Sequence, residues 1–184
     1  MTLIQITQEL NLNPAVCGPC GGACCKMQPG ITVPAQWGAT SEDIEANLVT
    51  AFTTGKWAVD WWEGDTELDG DLDEVYFIRP TAKSATNLFH GAARNAVCTF
   101  FQEFGCLLLP EARPDMCLTL IPSMSGGCWP PGPYKHENLK GDYVHLWRPY
   151  QAQILSAAKR CGFDPDDREE DSMSWYPYPL GLHF

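Results

Sequence analysis

The chain has 184 residues, 12 Lys plus Arg against 23 Asp plus Glu, and 45% apolar residues, which excludes wholesale disorder and fits a single globular domain. A formal net charge of −11 sets the phosphate backbone of nucleic acids on the wrong side of the electrostatic balance, so no nucleic-acid partner is expected. No run approaches the roughly 18 apolar residues of a membrane helix, and residues 1–17 lack the basic start and apolar stretch of an export signal, so the expectation is a soluble cytoplasmic chain with no membrane partner.

In chain order, the first feature is a cysteine loop, Cys17-Gly18-Pro19-Cys20-Gly21-Gly22-Ala23-Cys24-Cys25. Thr40, Glu42 and Asp43 supply a cap and an acidic first turn, Ile44, Leu48 and Phe52 recur at helical spacing, and Gly55 can end the turn, predicting helix 41–54. Residues 57–62 and 75–79 are aromatic and β-branched, and between them lies an acidic stretch, as in a hairpin with a long loop. A second, shorter hairpin is predicted from 98–101 and 106–109, turning at 103–105. Pro110 to Arg113 reads as one short helical turn that Pro114 interrupts. Helix 149–161 opens on Pro149, carries Tyr150, Ile154, Ala158 and Cys161 on one stripe, and ends at Lys159, Arg160 and Gly162. A solvated acidic segment and an aromatic, Pro-rich tail complete the chain.

Nine cysteines are far above the usual share. An odd count without an export signal weighs against a disulfide framework, because a reducing cytosol does not preserve one. Metal or redox chemistry remains. Four thiols fall within nine residues as C-x2-C-x3-C-C, and Cys98, Cys106, Cys117 and Cys128 follow at intervals of 8, 11 and 11. Glycines in the first loop let backbone fold around an ion and turn amides toward sulfur, damping repulsion between gathered thiolates. Cys161, on the apolar stripe of its helix, reads as a buried core thiol. Cys-Gly-Pro-Cys is also the thioredoxin tetrapeptide, but only 16 residues precede it and Gly21-Gly22 follow, so the strand and helix of that active site are missing. The choice between zinc and an iron–sulfur cluster stays open. Zinc sites pair two short knuckles and only one is present. Iron–sulfur sites often take three close thiolates and a remote one, which Cys17, Cys20 and Cys24 with a later cysteine would satisfy. Vicinal Cys24 and Cys25 cannot easily serve one tetrahedral ion, which suggests two metal centres or a polynuclear one.

These residues resemble the bacterial cysteine-cluster proteins described as zinc- or iron-chelating domains. The resemblance covers most of the chain from Cys17 to about Cys161: Cys17, Cys20, Cys24 and Cys25, then Cys98-Thr99-Phe100-Phe101, Gly105-Cys106, Arg113-Pro114, Cys117 and Cys128. Many members carry two residues between the second cysteine and the vicinal pair, and this chain carries three. It implies that these eight cysteines hold metal. Flagellin lysine methylases are similar in their cysteine cluster, which implies an alternative, an iron–sulfur enzyme, although no glycine-rich nucleotide motif follows a strand here.

Other features carry less. Asp65, Glu67, Asp69, Gly70, Asp71 and Asp73 imitate a calcium loop, but its twelfth position is Tyr76 rather than Glu and its flanks read as strands. His90, His136, His145 and His183 have no ligand spacing to one another, with His136 and His145 the candidates to supplement the cluster. Glu103 and Asp115 lie near Cys106 and Cys117 as ordinary turn carboxylates or an acid–base pair. The tryptophans read as core. The tail 175–180 either packs back on the body or offers an extended segment to a partner protein. The expectation is a loop-rich α+β metal-binding domain over 1–163, with an acidic segment and tail over 164–184. Its iron–sulfur or zinc centre is structural or used for chelation, electron transfer or sensing, and no catalytic residue stands out.

Overall fold

Thr40 starts the first helix in the expected way. In this computed structural model, which describes residues 22, 25–26, 29–62, 74–90, 97–102, 105–123, 127–129 and 136–168, with 121–123, 127–129 and 136–140 described by their backbone, helix α1 spans Ser41–Phe52. Thr40 Oγ1 accepts the Asp43 amide at 3.1 Å and its hydroxyl donates to Asp43 Oδ2 at 2.9 Å, closing the cap reciprocally. Ile44, Leu48, Ala51 and Phe52 form the buried stripe. The helix stops two residues short of the expected 54 because the Thr53 and Thr54 hydroxyls donate back to the carbonyls of Thr50 and Ala51. Gly55, at φ +64°, then turns the chain into the first strand.

Strands β1 (Trp57–Trp62) and β2 (Val75–Pro80) pair antiparallel, with Trp57 opposite Pro80 and Trp62 opposite Val75. Ala58, Val59, Phe77 and Ile78 are all fully buried, so both faces of the ribbon are covered and the sequence shows apolar runs instead of alternation. Polar backbone on the outer edges is met by neighbours. Val59 donates to Leu88 O and accepts from His90 N, at 2.9 and 3.1 Å. On the other side Thr32 N reaches Ile78 O at 3.0 Å, and the Gln151 amide both accepts from Tyr76 N and donates to Tyr76 O, at 2.8 and 2.9 Å. The acidic stretch 63–73, with its calcium-like spacing, lies outside the described residues.

The second hairpin is shorter than expected and its first arm is reassigned. Strands β3 (Phe101–Gln102) and β4 (Gly105–Cys106) pair Phe101 with Cys106, while Cys98 forms an antiparallel bridge to Ala82. Leu107 N still donates to Phe100 O at 2.8 Å, and residues 108–109 then leave the ribbon, because the Pro110–Ala112 turn is a 3-10 helix and Arg113 Nε pulls the Leu108 carbonyl to 3.1 Å. Leu107 and Leu109 are left exposed.

Four elements were not anticipated: helix α2 (Asp115–Thr119), the antiparallel strands β5 (Ile121–Ser123) and β6 (Gly127–Trp129), and helix α3 (His136–His145). The last expected helix begins as a 3-10 turn, Arg148–Tyr150, and continues as α4, Gln151–Arg160. It ends in a Schellman motif: Phe163 N donates to Ala158 O and Gly162 N, at φ +83°, to Lys159 O, at 3.1 and 3.0 Å. Helix α4 packs on α1, where Ser156 Oγ donates to Glu45 Oε1 at 2.8 Å and Cys161 Sγ approaches Val49 O at 3.6 Å. Cys161 is half-buried at the edge of the core, not sealed within it. Trp147 is fully buried and donates Nε1 to Thr32 O at 2.7 Å, and Trp37 meets Trp57 edge-on at 4.9 Å, so these tryptophans serve the core as expected. The result is a small mixed α+β domain of helices and short antiparallel hairpins.

Candidate metal centre

The two cysteine-bearing regions meet at Cys25 and Cys98. A helical turn closes the first loop, with Lys26 N donating to Gly22 O at 3.1 Å, and the Cys98 amide donates to Cys25 O at 2.8 Å. Cys98 is held by its bridge to Ala82, flanked by Lys83 N to Val97 O and Thr99 N to Thr81 O at 2.8 and 2.9 Å. Phe101 N in turn donates to Cys98 O at 3.0 Å, which connects this cysteine to the hairpin that carries Cys106.

Gly22 explains how the loop comes so close. At φ +74° it lies against the Phe101 ring, where a Cβ would come within 2.2 Å of the ring edge. Phe101 is the cross-strand partner of Cys106, so one aromatic ring is wedged between the first loop and the hairpin. The Lys26 and Lys83 ammonium groups stand 5.3 and 5.9 Å from the centre of that ring, and Lys56 lies 5.9 Å from Phe100.

Cys117 sits on α2 in a second glycine cradle. A Cβ on Gly30 would approach Cys117 Sγ to 2.4 Å and its amide to 3.1 Å. The cradle is fixed by Met116 N donating to Ile31 O at 3.2 Å and by Gln36, whose Oε1 accepts from Asp115 N and whose Nε2 donates to Arg113 O, at 3.0 and 2.7 Å. Asp115 is a structural anchor: its Oδ2 accepts from Tyr143 OH at 2.6 Å, and that hydroxyl also meets Thr119 Oγ1 at 2.6 Å. Burial, and then the bond to Asp115, push the Tyr143 phenol well above its ordinary pKa.

The β1–β2 ribbon holds a buried ion pair that sequence reading missed. Asp60 on β1 and Arg79 on β2 share one face of the ribbon in diagonal register. Arg79 Nε is 3.1 Å from Asp60 Oδ2, with side chains only 1% and 4% exposed. Asp60 Oδ1 accepts the Trp61 amide at 2.8 Å, and Arg79 Nη2 donates to His90 O at 3.2 Å. Burial lowers the Arg79 pKa, while Asp60 and Cys98 act in the opposite direction. Only the diagonal match of opposite charges, once the hairpin register is known, could have pointed to this pair.

Among the described residues, no group of three or more His, Cys, Asp or Glu side chains is placed to hold a metal ion. Of the eight expected ligands, Cys17, Cys20 and Cys24 lie outside the described residues, and Cys128 is placed by its backbone in β6, opposite Pro122. His145 Nδ1 accepts from Arg148 Nε at 3.0 Å, and His183, Glu103 and the tail 169–184 lie outside the described residues. No described helix is long and apolar enough to cross a membrane. No protein-family model, curated protein or solved structure matches the chain.

Proposed function

We propose that this protein binds metal through thiolates from both halves of the chain: Cys17, Cys20, Cys24 and Cys25 with Cys98, Cys106, Cys117 and Cys128. The observation that supports the reading is the Cys98-to-Cys25 backbone bond, which brings one cysteine of each half of the chain together. Three further features fit a thiolate centre. Thiol sulfur is the donor chemistry of zinc and iron–sulfur sites. Gly30 has no side chain, so Cys117 Sγ packs directly against its backbone, where a Cβ would clash. The buried Arg79 guanidinium is within electrostatic reach of Cys98, where negative charge would accumulate. The metal would cross-link short elements such as β4, α2 and β6 to the first cysteine cluster, coupling ligation to folding.

Anaerobic purification with iron available, followed by elemental and acid-labile sulfide analysis, tests this. Broad absorbance near ~400 nm with sulfide identifies an iron–sulfur centre. Colourless protein with stoichiometric zinc identifies a zinc centre on the same cysteines. Protein that takes up neither on reconstitution overturns the reading.

A further inference from the structure

Half of the chain's lysines meet at the end of the β1–β2 ribbon where Trp57 faces Pro80. The Lys26 and Lys83 ammonium groups stand 5.3 and 5.9 Å from the centre of one ring, Phe101, and Lys56 stands 5.9 Å from that of Phe100. Short backbone bonds hold the segments that carry them together: Thr81 N donates to Lys56 O and Thr99 N to Thr81 O, both at 2.9 Å, while Lys83 N donates to Val97 O and Cys98 N to Cys25 O, both at 2.8 Å. All three lysines are exposed, and none forms an ion pair among the described residues. Leu107, whose amide donates to Phe100 O, adds an apolar side chain that is 59% exposed. In a chain of net charge −11, a face of unneutralised cations beside an exposed leucine fits an acidic segment that also carries apolar residues.

The chain contains such a segment, and it starts close by. Arg168 is anchored by Nη1 to Glu74 Oε2, with its guanidinium 5.0 Å from the centre of the Trp61 ring, and Asn87 Nδ2 donates to the preceding Asp167 O at 2.7 Å. Asn87 belongs to the run that carries Lys83, and four extended residues span only about 14 Å. Beyond Arg168, outside the described residues, the sequence continues as Glu169-Glu170-Asp171 and then Trp175-Tyr176-Pro177-Tyr178. Residues 169–184 could extend about 50 Å, so reach does not limit them. A tethered segment acts at an effective concentration in the ~mM range. A free acidic polymer or an anionic surface has no such advantage and must approach a protein of net charge −11.

We propose that the Lys26–Lys56–Lys83 face is the seat of the chain's own C-terminal tail, with the carboxylates of Glu169, Glu170 and Asp171 on the lysines and the aromatic residues that follow them over Leu107. Lys26 directly follows Cys25, so the seated tail also lies across this end of the first cysteine loop. The proposal is independent of the metal-binding reading.

The test uses the full chain. Unlabelled and nitrogen-15-labelled proteins are mixed and treated with a water-soluble carbodiimide, which joins a carboxylate to an amine only where the two touch, and the links are mapped by mass spectrometry. Glu169, Glu170 or Asp171 should be joined to Lys26, Lys56 or Lys83 within isotopically pure chains. Links between labelled and unlabelled chains would place the tail on a second copy and overturn the proposal. Links from these lysines to residues 63–73 alone, or none to the tail, overturn it as well. The second measurement is the rate at which each lysine is acetylated at low extent. In the variant Glu169→Gln/Glu170→Gln/Asp171→Asn, Lys26, Lys56 and Lys83 should react about two- to fivefold faster than in wild type, as expected for the loss of exposed ion pairs, while exposed Lys159 keeps its rate. Both results are required, and equal rates in the two proteins overturn the proposal whatever the links show.

Discussion

At the scale of single residues, the glycines show how much spacing alone can say. The first-loop glycines were expected to fold backbone tightly around an ion, and Gly22 does make a close approach, although its neighbour is the Phe101 ring. Gly30 carried no signal, because a lone glycine after a proline reads as a turn, and its role emerges only from the place of Cys117 Sγ. Gly30→Ala should therefore push α2 away, destabilise the fold by about 1–3 kcal/mol by overpacking, and weaken zinc retention. Denaturant titration and chelator competition would measure the two effects. A Gly30→Ala protein with wild-type stability and zinc affinity would show that the cradle yields freely. Arg79 was illegible for a related reason: nothing in a strand sequence distinguishes a buried arginine from one that reaches solvent.

At the scale of elements, legibility followed length and capping. Helices α1 and α4 each run for at least ten residues with an apolar stripe and a recognisable cap or stop. Helix α2 has five residues, too few for a period, and α3 combines a central Gly141 with a weak stripe, so both escaped. Helix α2 is held through its polar side chains instead. Tyr143→Phe removes a hydroxyl bound to both Asp115 and Thr119 and should cost roughly 1–3 kcal/mol, since the Asp115 carboxylate loses a short bond. Thermal unfolding beside the wild type is the measurement. The α1–α4 contact gives a pH signature. The Ser156 hydroxyl, and then Arg160, hold Glu45 below its usual 4.5. A lowered carboxylate pKa contributes stability above 4.5 that is lost as pH falls through the folded value, so wild type should lose more than Glu45→Gln on acidification below that point. The difference should be under ~1 kcal/mol for a pair this open to solvent. Equal acid sensitivity in the two proteins would show that the contact is not coupled to protonation.

For the whole molecule, the mixed α+β character and the first hairpin were readable from patterning and an approach of the two cysteine regions was expected, whereas sequence spacing does not reveal that Cys98 bridges Ala82 and donates its amide to Cys25 O. Metal and fold should stand or fall together. Cys117→Ala should lower bound metal and, with it, the melting temperature, while Cys161→Ala, whose thiol only reaches Val49 O, should cost about 1 kcal/mol and no metal. Comparable metal loss in both would put the ninth cysteine at the centre. The blocked borders of the central ribbon have a consequence for behaviour at high concentration. A strand border with open amides recruits further chains, and here Gln151 and Thr32 close one border while Leu88 and His90 close the other. Gln151→Ala would open that lock at Tyr76, and its first symptom in light scattering should be slow, concentration-dependent growth of β-rich polymers from protein that is still folded.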